Sequence, residues 1–148
     1  MTTSIQFSVF LINKPGVLAR VIESIAQAKV NLIALTIVDS REHGVLRLVA
    51  NDPAKLREVL ETLNLPVHET QVVTLELANR PGALASAVGR LAENKVNIDY
   101  AYVTADAPGG KTTGILKVDH VKKAEKVLDT KLQRDSKRAT VKKHTIRR

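Results

Sequence analysis

Apolar and polar residues alternate in two stretches of the chain, at positions 5–11 and 73–77. A period of two is typical of a β-strand with one buried face, so each stretch is predicted to form a strand. After each strand the apolar residues take a helical spacing, at positions 18, 21, 22 and 25 and again at 84, 87, 88 and 91. The pattern therefore predicts a strand followed by a helix, twice along the chain.

This recurrence reflects a repeat in the sequence itself. The segment NKPGVLA at 13–19 returns 66 residues later as NRPGALA, and AQAKVNL at 26–32 returns at the same offset as AENKVNI. Two matching blocks at one offset indicate two copies of one structural unit. We predict a first module over residues 1–69, a second over 70–132 and a basic tail over 133–148.

Each copy continues with two more strands and a second helix. Runs of β-branched and aromatic residues predict the strands, and Gly44 and the cluster at 108–110 are predicted to mark the turns between them. Asp52 and Pro53 are suited to the N-cap and first position of a helix. The predicted ranges are 32–38 and 98–104 for the second strands, 45–49 and 115–118 for the third strands, and 56–63 and 121–128 for the apolar stripes of the second helices.

The junction between the copies is one extended stretch from Val67 to Leu77, so the fourth strand of the first copy is predicted to run directly into the second copy. No comparable apolar strand follows the last helix, and the second copy has either three strands or a borrowed edge partner. This order of elements predicts an α+β fold with helices on one face of an antiparallel sheet. On the helix-free face, Tyr100 and Tyr102 need a cover.

Composition excludes several kinds of chemistry. The chain has no cysteine, which rules out disulfides, thiolate metal sites and cysteine nucleophiles. The four histidines have no metal-ligand spacing and no serine lies in a Gly-x-Ser-x-Gly motif, so we expect no catalytic residue, no metal and no cofactor. No apolar run approaches the ~20 residues of a membrane span, and the first residues lack signal-peptide features. A cytoplasmic protein without membrane contact is expected.

The formal net charge of +8 is concentrated at one end of the chain. Residues 1–118 hold 12 Lys/Arg and 11 Asp/Glu, whereas residues 119–148 hold 11 and 4. Such a basic segment is predicted to be a solvated end, the alternative being contact with an acidic surface of nucleic acid or of an enzyme subunit. Because only four residues are aromatic, there is little to stack on bases, and a nucleic-acid partner is the less favoured expectation.

The repeated Pro-Gly segments are the candidate binding elements. Each lies between the end of a strand and the start of a helix, where backbone N–H groups and the helix dipole can hold a carboxylate. The same residues can also serve only as a turn that starts a helix. The asparagines that open the second strands, Asn31 and Asn97, are a coupled second signal that favours binding.

The combination of a strand ending in Asn-(Lys/Arg)-Pro-Gly-x-Leu-Ala, a helix, and the Lys-Val-Asn-(Leu/Ile) entry to the next strand resembles the ACT domain, a small-molecule-sensing module of amino-acid metabolism. The resemblance covers residues 4 to about 130, and the whole chain looks like the stand-alone tandem ACT proteins of bacteria. It implies ferredoxin-like βαββαβ modules that associate through sheet edges or faces. It also implies an amino-acid effector bound between modules, at the Pro-Gly loop of one and the start of the second strand, commonly of its neighbour.

The resemblance implies two sets of ligand-binding residues, which differ in side-chain chemistry. Ile33 of the first set corresponds to Asp99 of the second, and Lys14 in the first loop corresponds to Arg80, so two identical sites are not expected. The first set is Asn13, Pro15, Gly16, Val17, Leu18, Asn31, Leu32 and Ile33, and the second is Asn79, Pro81, Gly82, Ala83, Leu84, Asn97, Ile98 and Asp99.

The function expected from these features is that of a non-enzymatic amino-acid sensor. The ligand's α-carboxylate caps a helix after a Pro-Gly loop, asparagine side chains engage its ammonium group, and occupancy changes the packing of the modules. One alternative is a regulatory subunit of a biosynthetic enzyme, similar to the small subunit of acetohydroxyacid synthase, and another is a nucleic-acid-associated regulator acting through the tail. We expect a homodimer or larger assembly, the competing solution being a monomer whose two sheets cover each other.

Overall fold

The computed structural model describes residues 1–38, 42–105 and 110–129 of the protein. Within these ranges, six strands and four helices follow the predicted order. Most of the predicted turn at 108–110 and the tail lie outside the described residues. The elements are β1 (Thr2–Ile12), α1 (Val17–Gln27), β2 (Leu32–Val38), β3 (His43–Ala50), α2 (Pro53–Thr62), β4 (Val67–Ala78), α3 (Ala83–Glu93), β5 (Ile98–Ala105), β6 (Lys111–Val118) and α4 (residues 121–129).

The chain divides into two compact units. The N-terminal unit holds residues 4–72 together with 102–104, and the C-terminal unit holds 1–3 and 73–101 together with the described residues from 105 onward. Strand β4 continues without a break from one unit into the other, which confirms the predicted continuous strand. The module boundary between residues 69 and 70 stays a prediction.

In the N-terminal unit the strands follow the order β2-β3-β1-β4. Strand β1 pairs antiparallel with β3, from Gln6 opposite Val49 to Ile12 opposite His43. Alternate residues of β1, beginning with Phe7, pack against α1 and α2, and each large aliphatic side chain buried in this way contributes about 1.5–3 kcal/mol. The buried core consists of Phe7, Val9, Leu11, Val21, Ile25, Val30, Leu46, Leu48, Ala50, Leu56, Val59 and Leu60.

Helix α2 begins where the sequence predicts. The Asp52 side chain accepts a hydrogen bond of 3.0 Å from the Lys55 N–H, and Pro53 is the first helical residue. Pro53 needs no hydrogen-bond acceptor at that position because it has no N–H, so both residues favour a helix start there. The predicted helix start is confirmed.

In the C-terminal unit, β4 pairs antiparallel with β6, from Val73 opposite Leu116 to Ala78 opposite Lys111, and β5 lies beyond β6. The core again joins one face of the sheet to two helices. Its buried residues are Val73, Leu75, Ala87, Leu91, Val96, Leu116, Val118, Ala124 and Leu128. The predicted α+β architecture, with antiparallel strands and helices on one face, is confirmed in both units.

The C-terminal unit borrows its remaining edge partner from the beginning of the chain. β1 is hydrogen-bonded to β4, and residues 1–3 belong to the C-terminal unit. Met1 packs against the core of that unit, and the Thr3 hydroxyl hydrogen-bonds to the carboxylate of Glu125 on α4. Of the two arrangements that the sequence left open, the described residues form the one with a borrowed partner.

The two tyrosines of β5 have partial cover within the chain. Tyr100 and Tyr102 are both half-buried, and the Tyr102 hydroxyl donates to Gln6 Oε1 at 2.9 Å. Gln6 is fully buried, and its Nε2 donates to Ser8 Oγ at 3.2 Å. Tyr102 is therefore covered in part within the chain, while cover by another copy and the homodimer itself stay predictions.

Gly44 lies in a strand and not in the turn predicted for it. It is the second residue of β3, pairs with Leu11 of β1 and is buried. A Cβ atom at this position would lie 3.6 Å from the Ile37 side chain, an ordinary van der Waals distance. The residue therefore fits a strand, and the glycine-turn rule fails here because strand pairing with β1 decides the local conformation.

Candidate functional site

The first Pro-Gly loop connects β1 to α1. Gly16 occupies the N-cap with φ 88° and ψ −17°, a left-handed conformation that favours glycine, and the helix has no side-chain cap. The Val17 N–H bonds to the Lys14 carbonyl at 3.3 Å. The amide groups of Leu18 and Ala19 thus have no capping side chain, at the end of the helix where the dipole stabilises an anion.

The second loop has almost the same geometry. Gly82 has φ 84° and ψ −13°, α3 has no side-chain cap, and the Ala83 N–H bonds to the Arg80 carbonyl at 3.3 Å. Apart from adjacent residues, a methyl group at either glycine would meet nothing within 4 Å. The space on the side of each glycine where a side chain would lie is therefore open.

Each loop is anchored to the hairpin of its own unit by one backbone hydrogen bond. The Asn13 N–H donates to the Glu42 carbonyl at 3.1 Å, and the Asn79 N–H donates to the Gly110 carbonyl at 2.9 Å. Both anchors lie next to the start of a third strand, β3 or β6. The two loops are therefore held at equivalent places in their units.

The starts of the second strands are held by residues that the sequence analysis missed. The Asn31 N–H donates to Asn51 Oδ1 at 3.2 Å, and the Asn51 N–H donates back to the Asn31 carbonyl at 3.0 Å. In the C-terminal unit, Asn97 and Asp119 form the same pair, at 3.1 and 3.2 Å. Asn51 and Asp119 both directly follow a third strand, and this shared position is the signal that could have found them.

Within one unit, the loop and the start of the second strand lie at opposite ends of the sheet. The first loop is anchored at Glu42, just before β3 begins, whereas Asn31 is paired with Asn51, just after β3 ends. At about 3.3 Å per residue, this separation is about 25–30 Å. Gly110 and Asp119 flank β6 in the same way. An amino acid cannot reach both groups of one unit.

The two strand starts differ in side-chain chemistry. In the C-terminal unit, Asn97 Nδ2 donates to Asp99 Oδ1 at 3.0 Å, and Lys117 Nζ lies 3.9 Å from Asp99 Oδ2. In the N-terminal unit the corresponding position is Ile33, which offers neither a charge nor a hydrogen-bond acceptor. Only the second strand start therefore presents a carboxylate.

Asp119 adds a second carboxylate at that strand start. Desolvation raises its pKa. The hydrogen bonds that it accepts from His120 and from the Asn97 N–H together lower the pKa by more than this, so the net result is a pKa below the ordinary aspartate value of 3.8. His120 Nδ1 lies 3.1 Å from Asp119 Oδ2. The charged form of Asp119 is thus favoured where the backbone of Asn97 needs an acceptor.

Several predicted site residues also have a structural role. Val17, Leu18 and Leu32 pack against the core of the N-terminal unit, and Ile98 packs against the core of the C-terminal unit. The other predicted residues lie at the two loops and the two strand starts described above. Ligand contact by any of the sixteen residues stays a prediction.

The part of the chain that the structure describes has neither a metal-binding cluster nor a membrane-spanning helix. Its histidines, aspartates and glutamates form no group of three that could hold a metal ion. Separately, none of its helices is long and apolar enough to cross a membrane.

Comparison with known proteins identifies the modules. A family model described as an ACT domain pair matches residues 1–141. A crystallised protein from Bacteroides thetaiotaomicron has 34% sequence identity and a TM-score of 0.81, with 87% of this chain and 88% of that chain covered. A search of the curated proteins gives no significant match.

More distant structures share the fold. The ligand-free regulatory subunit of aspartate kinase from Thermus thermophilus has 12% identity and a TM-score of 0.64, with 88% of this chain and 97% of that chain covered. The corresponding regulatory subunit from Thermus flavus has 13% identity and a TM-score of 0.58, with 86% and 91% covered. At these identities the likeness shows a common fold.

Proposed function

This chain belongs to the family of ACT domain pairs, and from that premise we propose that it is a non-catalytic sensor that binds a free amino acid and regulates amino-acid metabolism. The observation that carries the proposal is the pair of Pro-Gly loops, which have nearly equal backbone angles, no side-chain cap and open space where a glycine side chain would lie.

The α-carboxylate of the ligand binds at a helix N-terminus. The amides of Leu18 and Ala19, or of Leu84 and Ala85 in the second loop, donate to its oxygens, and the helix dipole adds to the attraction. Such hydrogen bonds to a charged acceptor are stronger than those between neutral groups. A residue with a side chain at position 16 or 82 would strain the left-handed backbone that presents these amides.

The ammonium group of the ligand binds at the start of a second strand. Asn31 or Asn97 offers a side-chain carbonyl, and Asp99 adds a negative charge in the C-terminal copy. Because a loop and a strand start of one unit lie about 25–30 Å apart, a complete site needs a strand start from outside the module that supplies the loop. Bound ligand then favours one arrangement of modules by its differential affinity.

A thermal-shift screen of the full chain against the twenty amino acids tests this proposal. A ligand that binds only the folded state raises its free energy of unfolding by about 2.7 kcal/mol at a concentration of 100 times Kd. We expect one chemical class of amino acid to raise the midpoint, and Gly16→Val or Gly82→Val to abolish the rise at its own loop.

Gly89→Ala is the matched control, since Gly89 lies within α3 and an added methyl group there meets nothing within 4 Å. This variant should keep the full ligand response. The proposal is wrong if no amino acid raises the midpoint, or if both loop variants bind the amino acid as the original chain does.

A second candidate is a regulatory subunit that acts on a biosynthetic enzyme, which the family's regulatory modules favour. The two functions are compatible, because a sensor must pass its response to a target. Adding the full chain to an amino-acid biosynthetic enzyme, such as acetohydroxyacid synthase, tests the second candidate. We expect feedback inhibition by the end product to strengthen, and an unchanged inhibition curve would count against that target.

A further inference from the structure

The N-terminal unit contains a cavity that is separate from both Pro-Gly loops. It has a volume of about 250 Å³ and lies between α2 and the first part of β4, over the inner face of β1. At ~30 Å³ per water molecule, it has room for a small organic molecule but not for a large cofactor. Its lining residues are Phe7, Arg57, Leu60, Glu61, Leu65, Val67 and Glu69.

The cavity has an apolar floor and a charged rim. Phe7 and Leu60 are fully buried, and Val67 is partly exposed at the wall. At the rim, the Arg57 guanidinium stands 5.7 Å from the centre of the Phe7 ring. Half-buried Leu65 and exposed Val67 therefore offer an apolar surface to a hydrocarbon chain, and the rim offers a polar edge to a head group.

Arg57 is already engaged. Its Nε donates to Glu69 Oε1 at 2.5 Å and its Nη2 donates to Glu69 Oε2 at 2.8 Å. These bonds raise the pKa of Arg57 and lower the pKa of Glu69, so both groups remain charged. To bind Arg57, a ligand carboxylate would have to displace Glu69, and the negative charge of Glu69 would repel it.

Glu61 makes the net charge of the cavity rim negative. It lies one turn after Arg57 on α2, and its charge acts on Arg57 through space. The three ionised groups sum to one negative charge, and the Glu61 carboxylate accepts no hydrogen bond from the part of the chain that the structure describes. A positive head group therefore fits this rim and a negative one does not.

We propose that this cavity binds a small aliphatic primary amine that lacks a carboxylate. The alkyl chain lies on Leu65 and Val67, and the ammonium group lies at Glu61, beside the Arg57–Glu69 pair. A free amino acid is rejected because its carboxylate would face two glutamates. The cavity is thus a second ligand site, with a charge preference different from that of the loops.

Three probes with one carbon skeleton test this assignment in the full chain: 3-methylbutylamine, 3-methylbutan-1-ol and 3-methylbutanoate. NMR titration should show that the amine shifts the signals of Leu65 and Val67 with a Kd on the order of 1 mM. The alcohol should bind several times more weakly, and the acid should leave these signals unchanged. Equal affinity for amine and alcohol, or tighter binding of the acid, would overturn the proposal.

Glu61→Gln should weaken the amine about two- to fivefold, the effect of one partly exposed ion pair. Glu58→Gln, on the same helix but outside the cavity, is the matched control and should leave the affinity unchanged. Val67→Phe, which fills the cavity, should abolish amine binding. Full amine affinity in both Glu61→Gln and Val67→Phe would place the amine elsewhere.

Gly16→Val separates this site from the loop proposal, because it leaves the lining residues of the cavity in place. Amine binding should persist in that variant even where the amino-acid response is lost. Loss of both responses in a folded Gly16→Val variant would count against a separate cavity site. An amino-acid response without any amine binding would overturn the cavity proposal alone.

Discussion

The two copies differ most where the second helix of each unit meets the strand that completes its sheet. In the N-terminal unit, Arg57 of α2 stands over Phe7 and forms a two-bond ion pair with Glu69 of β4. In the C-terminal unit, Glu125 of α4 accepts a hydrogen bond from Thr3, and Val73 replaces the aromatic ring 66 residues after Phe7. The matched position on the second helix thus holds a cation, Arg57, in one copy and an anion, Glu125, in the other.

This difference teaches that the repeat preserves backbone geometry more closely than side-chain chemistry. The two N-cap glycines differ by only a few degrees in φ and ψ, and both strand starts use the same reciprocal backbone pair. By contrast, the residue equivalent to Ile33 of the first copy is Asp99 in the second. A shared fold therefore leaves the two copies free to bind different groups.

The largest effect is expected from truncating one buried leucine in each core, at matched positions. Leu60→Ala and Leu128→Ala each remove a fully buried side chain, and each should cost about 2–5 kcal/mol of unfolding free energy. Denaturant unfolding measures the stability, and a loss below about 1 kcal/mol in either variant would contradict its place in the core.

Removing residues 2–3 tests the borrowed strand. The deletion removes the Thr3 hydroxyl from Glu125 and shortens the part of β1 that belongs to the C-terminal unit. Amide hydrogen exchange should rise along β4 from Val73 onward and in α4, because these elements lose a neighbour. Unchanged protection there would mean that residues 1–3 do not support the C-terminal unit. Exchange in α1 is the internal control.

Asp99→Ala should affect the two copies differently. It removes one of the two carboxylates, Asp99 and Asp119, that distinguish the second strand start from the first, and with it the hydrogen bond from Asn97. We expect a two- to fivefold weaker amino-acid affinity at that strand start, about the effect of one partly exposed ion pair, with Ile33→Ala as the matched variant in the other copy. Calorimetric titration that gives the same affinity and stoichiometry for Asp99→Ala would remove Asp99 from the site.

The Arg57–Glu69 pair should make part of the stability depend on pH. Because its folded pKa lies below the ordinary value of 4.5, Glu69 stabilises the folded state above that value and loses this effect as the pH falls through its folded pKa. The midpoint difference between the original chain and Glu69→Gln should thus be positive at pH 7 and shrink below about pH 4.5. A difference that stays constant down to pH 3 would contradict the charged pair.

The smallest effect is expected from deleting residues 134–148. The segment has no sustained apolar period, so thermal stability and amino-acid binding should persist, while the net charge falls from +8 to +2. Any affinity for nucleic acid should be salt-dependent before the deletion and absent afterwards. Unfolding or aggregation of the shortened chain would show that Ala139, Val141 and Ile146 contribute to a packed element.

Local patterns in the sequence predicted the elements because their causes are local. The alternation around Phe7 and the Asp52-Pro53 helix start depend on neighbouring residues, and both are confirmed. Two Pro-Gly loops could be placed for the same reason. The distance between each loop and the start of the second strand could not be predicted, since it depends on the direction in which β3 and β6 run across the sheet.

The failures of sequence reasoning concern partners that are distant along the chain. Gly44 carries a turn-forming residue type, yet pairing with Leu11 holds it in a strand. The Tyr102 bond to Gln6 joins residues 96 positions apart, and no periodicity specifies such a pair. Nor does the sequence around Arg57 predict that its guanidinium pairs with Glu69 and lies over the Phe7 ring.

The partner of Thr3 has a consequence for the order of folding. Thr3 and Glu125 are 122 positions apart, so during synthesis this end of β1 leaves the ribosome long before α4 does. The rest of β1 can pair with β3 much earlier, within the N-terminal unit. Closing so long a loop is slow, and the contact of Thr3 with α4 should therefore form among the last steps of folding. A bulky fusion before Met1 would interfere with that late step and leave the earlier ones intact.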